Sequence, residues 1–249
     1  MKTKIRLDKY LIDNNNVETR NKAQQLIKNG QINVNRKIID KSNFLVDEND
    51  EIKIIEPLKF VSRGGIKLQH AINQFNINLN DKIVLDIGAS TGGFTDCCLK
   101  NGAKLIYCLD IGTNQLHHSL INNPSVKNFP NTNLKQIPNL FQKNQFDVIV
   151  VDVSFISLKH VFESIKNICS KNTTIVCLIK PQFELNPIIL SKFKGSIKSE
   201  KYHNEAIQNV LLSATNNGFK LIKVIDSPIL GSKGENKEFL GIFSFMEII

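Results

Sequence analysis

The 249-residue sequence has no tryptophan, three tyrosines, two methionines and five cysteines. It also lacks any apolar run near the roughly 18–20 residues a membrane-spanning helix requires. Its first ten positions, MKTKIRLDKY, already carry four basic residues and one acidic one, so no secretory leader is expected. The cysteines form no C-x-x-C pair and no Cys/His spacing of a zinc site. Cys97 and Cys98 are adjacent, Cys108 and Cys177 sit inside apolar runs, and Cys169 ends a helix-like segment. They read as buried free thiols of a reducing compartment. The expectation is a soluble cytoplasmic protein without a metal.

Acidic charge is the scarcer sign. There are 23 Asp and Glu against 32 Lys and Arg, a net charge of +9. A hydrophobic fraction of 41% suffices for a packed core and excludes a disordered tail, a collagen-like chain or a disulfide-stapled miniprotein. The length allows one large domain, or a medium domain plus a small one.

The positive charge is concentrated. Residues 1–45 hold ten basic side chains against four acidic ones. Such a patch on a small module points to a phosphate backbone. The pattern there is specific. Thr19 stands where a helix N-cap accepts an orphan backbone N–H. Ala23, Leu26 and Ile27 follow on one helical face, and Gly30 stands at a C′ position. Ile32 and Val34 then alternate as in a short half-buried strand. An earlier helix, RLDKYLI, presents Leu7, Tyr10 and Leu11 to the same core. Arg6, Lys9, Arg20, Lys22 and Lys28 then share an outer face. The order RLDKYL followed by TRNKAQQLIKNGQINVN resembles the S-four-like RNA-binding module over about residues 4–52. That resemblance implies recognition of folded RNA by shape and backbone. The expected RNA-binding residues are Arg6, Lys9, Arg20, Lys22, Lys28, Arg36, Lys37, Lys41 and, beyond the module, Arg63. The module spans residues 1–57, with a linker over 58–64.

From residue 83 onward, β-rich apolar runs alternate with helical patterns. Strands are expected at KIVLDIGA, KLIYCLDI, SVKNF, FDVIVVDV, TTIVCLIK, FKLIKVID and EFLGIFSFM. Helices are expected over about 65–76, 94–101, 114–122, 158–169 and 203–217. Strands apolar throughout suggest burial on both faces, as in a parallel sheet. The last two strands, joined by a long loop, would pair antiparallel at one edge. The fold class is therefore α/β: a Rossmann-like, seven-stranded, mostly parallel sheet over 65–249, of the kind found in class I methyltransferases, behind a small α+β module.

In open α/β sheets, ligands bind beyond the carboxyl ends of the strands. The first such turn is DIGASTGGF. Its spacing is not the G-x-G-x-x-G of dinucleotide sites, which disfavours nicotinamide redox chemistry. The form D-x-G-x-x-x-G-G-F is closer to S-adenosylmethionine sites. Candidate cofactor residues are Asp86, Gly88, Ala89, Ser90, Gly92, Gly93, Phe94, Asp110 and Asp152, with Asp110 placed to accept from ribose hydroxyls. Asp152 and Lys180 end buried strands, Glu238 opens the last one, and Lys67 lies on the helix entering the sheet. A lysine ending an apolar strand is unusual, because an unpaired buried ammonium is costly. A shared cleft for these four residues is geometrically reasonable.

The blocks SRGGIKL, DIGASTGGFTDCCL, VVDVSFIS, LIKPQFE and GENKEFL resemble, in order, the TlyA (hemolysin A) family. Its members join an S-four-like module to an FtsJ-related methyltransferase domain, and the resemblance spans almost the whole chain. It implies a ribosomal RNA (cytidine-2′-O)-methyltransferase, acting either on 23S rRNA only or on both 23S and 16S rRNA, with S-adenosylmethionine as cofactor. It also implies a catalytic set of Lys67, Asp152, Lys180 and Glu238. Within that set Lys180 orients the ribose hydroxyl and takes its proton, while Asp152 and Glu238 fix geometry. Adenine contacts are expected from NTNLK, after the third strand. The basic loop KFKGSIKSEK reads either as a flap over RNA or as a solvated charge run. The partner is ribosomal RNA or a ribosomal subunit, and the expected state is a monomer. Two other readings compete: an RNA-binding assembly factor with an inactive methyltransferase half, and a membrane-active hemolysin. The second lacks a segment with the length and cationic face of an insertion helix.

Overall fold

The computed structural model describes residues 4–14, 16–28, 30–55, 59–193, 196–231 and 236–246. The chain divides into two compact units, residues 1–59 and 60–249. The expected module end at 57 and linker start at 58 lie outside the described residues, as do 194–195 of the basic loop and 232–235 before the last strand.

The first unit runs β1 (Ile5–Arg6), α1 (Leu7–Asp13), α2 (Arg20–Lys28), β2 (Ile32–Val34), β3 (Lys37–Ile39), β4 (Leu45–Val46) and β5 (Ile52–Ile54). Thr19 caps α2 as its position predicts: its Oγ1 accepts from Lys22 N at 3.2 Å. Leu7, Leu11, Ala23, Leu26, Ile27, Ile32, Val34 and Val46 form one core. β2 is central, antiparallel to both β3 and β5. The β2–β3 hairpin turns through Asn35 and Arg36, both with positive φ. This is the two-residue turn whose twist suits adjacent strands.

The second unit runs α3 (Gly64–Phe75), β6 (Ile83–Ile87), α4 (Gly93–Lys100), β7 (Leu105–Leu109), α5 (His118–Ile121), β8 (Val126–Phe129), a 3₁₀ turn (Leu134–Gln136), α6 (Ile137–Leu140), β9 (Val148–Val151), α7 (Leu158–Ile165), β10 (Thr174–Ile179), α8 (Pro181–Glu184), α9 (Pro187–Leu190), α10 (Glu200–Asn216), β11 (Phe219–Asp226) and β12 (Phe239–Phe245). The sheet order is β11-β12-β10-β9-β6-β7-β8. β10, β9, β6, β7 and β8 run parallel to one another, and β12 is antiparallel to both β10 and β11. Successive residues of the central strands alternate between two cores. Leu85, Ile87, Ile149 and Val151 face one with Phe162 and Phe243. Val84, Val148 and Val150 face the other with Leu68, Ala71 and Phe94. That period of two explains why these strands read as continuous apolar runs.

Two helices are shorter than their patterns suggest. The expected helix over 114–122 is reduced to α5, because Asn114 adopts positive φ and holds the preceding segment in a loop. The expected helix over 158–169 ends at Ile165. All five cysteines are buried. Burial pushes the thiols of Cys98, Cys108, Cys169 and Cys177 up from the ordinary range.

Candidate functional site

β6 is flanked by β7 on one side and by β9 on the other, so the chain reverses direction across the sheet there. A cleft opens at such a switch point, beyond the carboxyl ends of the strands. A cavity of about 720 Å³ lies there, within the size range of cofactor sites. Ile87, Gly88 and Ser90 line it from the first turn, Leu109, Asp110 and Ile111 from the second, and Asp152, Val153, Ser154 and Phe155 from the end of β9. Thr132, Asn133 and Leu134, from the NTNLK segment, close another wall.

The turn after β6 needs its glycines. Gly88 has φ +82°, and a Cβ there would lie 2.5 Å from the Asp152 carbonyl oxygen. Gly92 has φ +91°, and its Cβ would meet Leu120 at 2.3 Å. Asp110 is fixed by the turns around it: Ser90 N donates to its Oδ2 at 2.8 Å and Gly112 N to its Oδ1 at 2.7 Å. Each oxygen keeps a lone pair for a further donor. Asp86 is fully buried beneath the turn. Its Oδ2 accepts from Thr95 Oγ1 at 2.6 Å, whereas Oδ1 has no hydrogen-bond partner among the described residues. Burial raises its carboxyl to about 7, with the carboxylates of Asp152 and Asp110 adding to the rise.

Of the expected cofactor residues, Gly88, Ser90, Asp110 and Asp152 therefore line the cavity. Asp86, Ala89, Gly92, Gly93 and Phe94 do not. Phe94 is a core side chain, and a Cβ on Gly64 would touch its ring at 3.4 Å. The residues present suit S-adenosylmethionine. They offer a glycine cradle that close backbone approach requires, a fixed acid for ribose hydroxyls, and apolar walls at Ile111 and Leu134, with the orphaned Asp86 oxygen beneath the turn.

Lys67 on α3 and the three strand-end residues form two ion pairs. Lys67 Nζ lies 2.5 Å from Glu238 Oε2, with the side chains 9% and 4% exposed. Lys180 Nζ lies 2.6 Å from Asp152 Oδ1, at 10% and 23%. The antiparallel ladder of β10 and β12 ends at Ile179 opposite Phe239, so Lys180 and Glu238 emerge side by side from adjacent strands. Asp152 belongs to both the cavity wall and the lysine pair.

Sequence reasoning missed Phe155. Its ring is 79% exposed, lines the cavity and lies 5.4 Å from the Phe183 ring. Its φ of +64° is rare for an aromatic residue and marks local strain of the kind found at ligand sites. Lys180 Nζ lies 5.9 Å from the Phe183 ring centre. The only signal in the sequence was an aromatic beside Asp152, indistinguishable from a core residue.

Arg6, Lys9, Arg20, Lys22, Lys28, Arg36, Lys37 and Lys41 are all exposed on the first unit. Asp8 is fully buried beside them. Arg6 forks onto it through Nε and NH2, each at 2.9 Å. Arg20 Nε at 3.2 Å and Gln24 Nε2 at 3.1 Å complete the cluster. The Arg6 fork holds the Asp8 carboxyl well below the usual range. Arg63, in the second unit, donates to the Leu230 carbonyl at 2.5 Å. Within the basic loop, Ile197 is anchored: its N–H donates to Asn236 Oδ1 at 2.7 Å, and its carbonyl accepts from His203 Nε2 at 2.8 Å. No helix among the described residues is long and apolar enough to cross a membrane.

Comparison with known proteins follows the same division. The FtsJ-like methyltransferase family matches residues 60–245 and the S4 domain residues 5–52. Hemolysin A of Brachyspira hyodysenteriae is 40% identical over 96% of this chain and 99% of its own length. The 23S rRNA (cytidine-2′-O)-methyltransferase TlyA of Campylobacter jejuni is 33% identical over 94% and 98%. A solved structure from Streptococcus thermophilus, described as a candidate hemolysin, is 34% identical, covers 99% of this chain and 90% of its own, and superposes with a TM-score of 0.76.

Proposed function

The chain belongs to the FtsJ-like methyltransferase family, in the branch of TlyA and hemolysin A that carries an S4 domain, and from that premise we propose that it methylates the ribose 2′-hydroxyl of a cytidine in ribosomal RNA. The observation that carries the reading is the pairing of Lys67 with Glu238 and of Lys180 with Asp152, with Lys180 and Glu238 at neighbouring strand ends and Asp152 also lining the cofactor-sized cavity. S-adenosylmethionine, when bound, supplies an electrophilic methyl group on a sulfonium. Asp110 would receive its ribose hydroxyls, Ile111 and Leu134 would flank its adenine, and the Gly88–Ser90 turn would hold its methionine end.

A ribose hydroxyl is a weak nucleophile and must shed its proton as it attacks. Lys180 is the acceptor for that proton. Asp152 fixes the Lys180 head group from the cofactor side. Lys67 and Glu238 form a neutral buried pair that holds the end of β12 against α3. Much of the acceleration comes from holding hydroxyl and methyl in line. The exposed Phe155 ring, fixed by its backbone, offers a face on which an extruded base stacks. The exposed basic side chains of the first unit bind the RNA backbone. The site of action is the cytoplasm, where ribosomal RNA is found.

The test uses the full chain, radiolabelled S-adenosylmethionine and separated ribosomal subunits from cells lacking this modification. Label should appear on a ribose 2′-oxygen, mapped by resistance to alkaline cleavage, and vanish with Lys180→Ala. Cofactor binding without label on either subunit contradicts the reading and favours the assembly factor.

A further inference from the structure

A lysine ammonium has three N–H donors and no acceptor; a neutral lysine amine has two donors and one lone pair. All three donor directions of Lys180 are occupied. Its Nζ lies 2.6 Å from Asp152 Oδ1, 2.9 Å from the Val153 carbonyl and 3.0 Å from Ser154 Oγ. The first two partners only accept. They keep an N–H each whether Lys180 is charged or neutral. When Lys180 is neutral, its lone pair therefore points along the third direction, at Ser154. A hydroxyl is the one partner of the three that serves both states, accepting from the ammonium and donating to the amine.

Access follows the same line. The Lys180 side chain is 10% exposed, and Asp152 and Val153 are half-buried. Ser154 is exposed and lines the cofactor cavity beside Phe155. On the cavity wall, therefore, Ser154 is presented to an arriving substrate and Lys180 is not.

We propose that Ser154 is a catalytic residue of the methyl transfer, relaying the proton of the attacking hydroxyl to Lys180. The inference rests on the 2′-O-methyltransferase reading and deepens it. Lys180 first loses a proton to water. As the ribose oxygen bonds to the methyl carbon, its O–H bond breaks and that proton passes to Ser154 Oγ. The proton of Ser154 passes in turn to the Lys180 lone pair. The methyl carbon–sulfur bond breaks with its electron pair going to sulfur, so the positive charge lost by the sulfonium reappears on the Lys180 ammonium. Ser154 ends as the hydroxyl it began as.

The test compares wild type with Ser154→Ala, Ser154→Thr and Lys180→Ala. Single-turnover methylation of saturating ribosomal subunits should fall about 100-fold in Ser154→Ala, with cofactor affinity by calorimetry unchanged. Ser154→Thr, which keeps a hydroxyl, should restore most of the rate. A second readout needs neither cofactor nor RNA. Acetylation of Lys180 by acetic anhydride, followed by mass spectrometry, should reach a high-pH rate about fivefold greater in Ser154→Ala, because a hydrogen bond onto the lone pair has been removed. A Ser154→Ala rate within about twofold of wild type overturns the relay and leaves Lys180 in direct contact with the substrate. A rate loss matched by an equal loss of cofactor affinity also overturns it, making Ser154 a wall of the cavity. Full activity of Lys180→Ala would instead overturn the underlying reading.

Discussion

Both units bury acidic side chains against cations, but they do so in opposite ways. In the first unit only the carboxylate is buried: Asp8 is inaccessible while the Arg6 and Arg20 side chains are 45% and 61% exposed. In the second unit's two pairs at the candidate site both members are largely enclosed, Lys67 with Glu238 and Lys180 with Asp152. The first arrangement anchors guanidinium groups at a surface with N–H donors left over for an outside anion. The second forms a wall of internally neutral pairs beside a cavity. There charge is held in fixed positions, and removing one partner strands the other in a poorly solvated place. One arrangement suits holding a phosphate backbone, the other moving a proton.

The comparison can be broken at several points. The largest effect is expected from Lys180→Arg, which keeps the charge and the pairing with Asp152 but provides no usable base. Turnover should fall by about 1,000-fold in single-turnover assays while the melting temperature stays close to wild type. Next is Glu238→Ala, which leaves the Lys67 ammonium buried and alone. It should cost about 3–5 kcal/mol in denaturant unfolding. Arg20→Ala on the exposed side of the other cluster should cost under about 1 kcal/mol and show instead as weaker, less salt-dependent RNA binding.

Asp8→Asn is expected to cost about 2 kcal/mol, and its pH dependence is diagnostic. Because the folded-state carboxyl is depressed, its contribution is present above the ordinary value of 3.8 and is lost as pH falls through the folded value. Acid titration of the wild type should show this loss, and Asp8→Asn should flatten it. Asp86 carries the reverse sign. Its carboxyl is raised to about 7, so the folded state holds the proton more tightly, and stability declines as pH rises from about 4 towards 7. Asp86→Asn should raise the melting temperature by about 3 °C at pH 8 and by less at pH 4. A lower melting temperature at pH 8 would show that the Asp86 carboxylate is stabilised rather than penalised by burial.

Much of this was legible in the sequence. The Thr19 cap, the Ala23–Leu26–Ile27 face and the seven strands of the larger unit follow from local periodicity and capping. The strand-end positions of Asp152, Lys180 and Glu238 follow from the same strands. The rest depends on tertiary placement. β1, β3 and β4 are two or three residues long, too short for any period to register. Asp8 reads as one solvated charge among many, since nothing local announces that two arginines will close over it. Which lysine pairs with which acid is decided by the offset of β12 on β10 and by the placement of α3. Ser154 gains meaning only from its distance to Lys180, and Phe155 only from its exposure on the cavity wall.

The central claim is that the two units divide the work, one holding RNA and the other performing the transfer. The most direct measurement sets Asp8→Ala beside Lys180→Ala in the full chain, with affinity for ribosomal subunits, affinity for S-adenosylmethionine and single-turnover rate measured on each. Asp8→Ala should weaken subunit binding while cofactor affinity and the rate at saturating subunits stay at wild-type values. Lys180→Ala should abolish turnover with both affinities intact. Turnover by Lys180→Ala, or an Asp8→Ala rate that stays low at saturating subunits, would contradict the account.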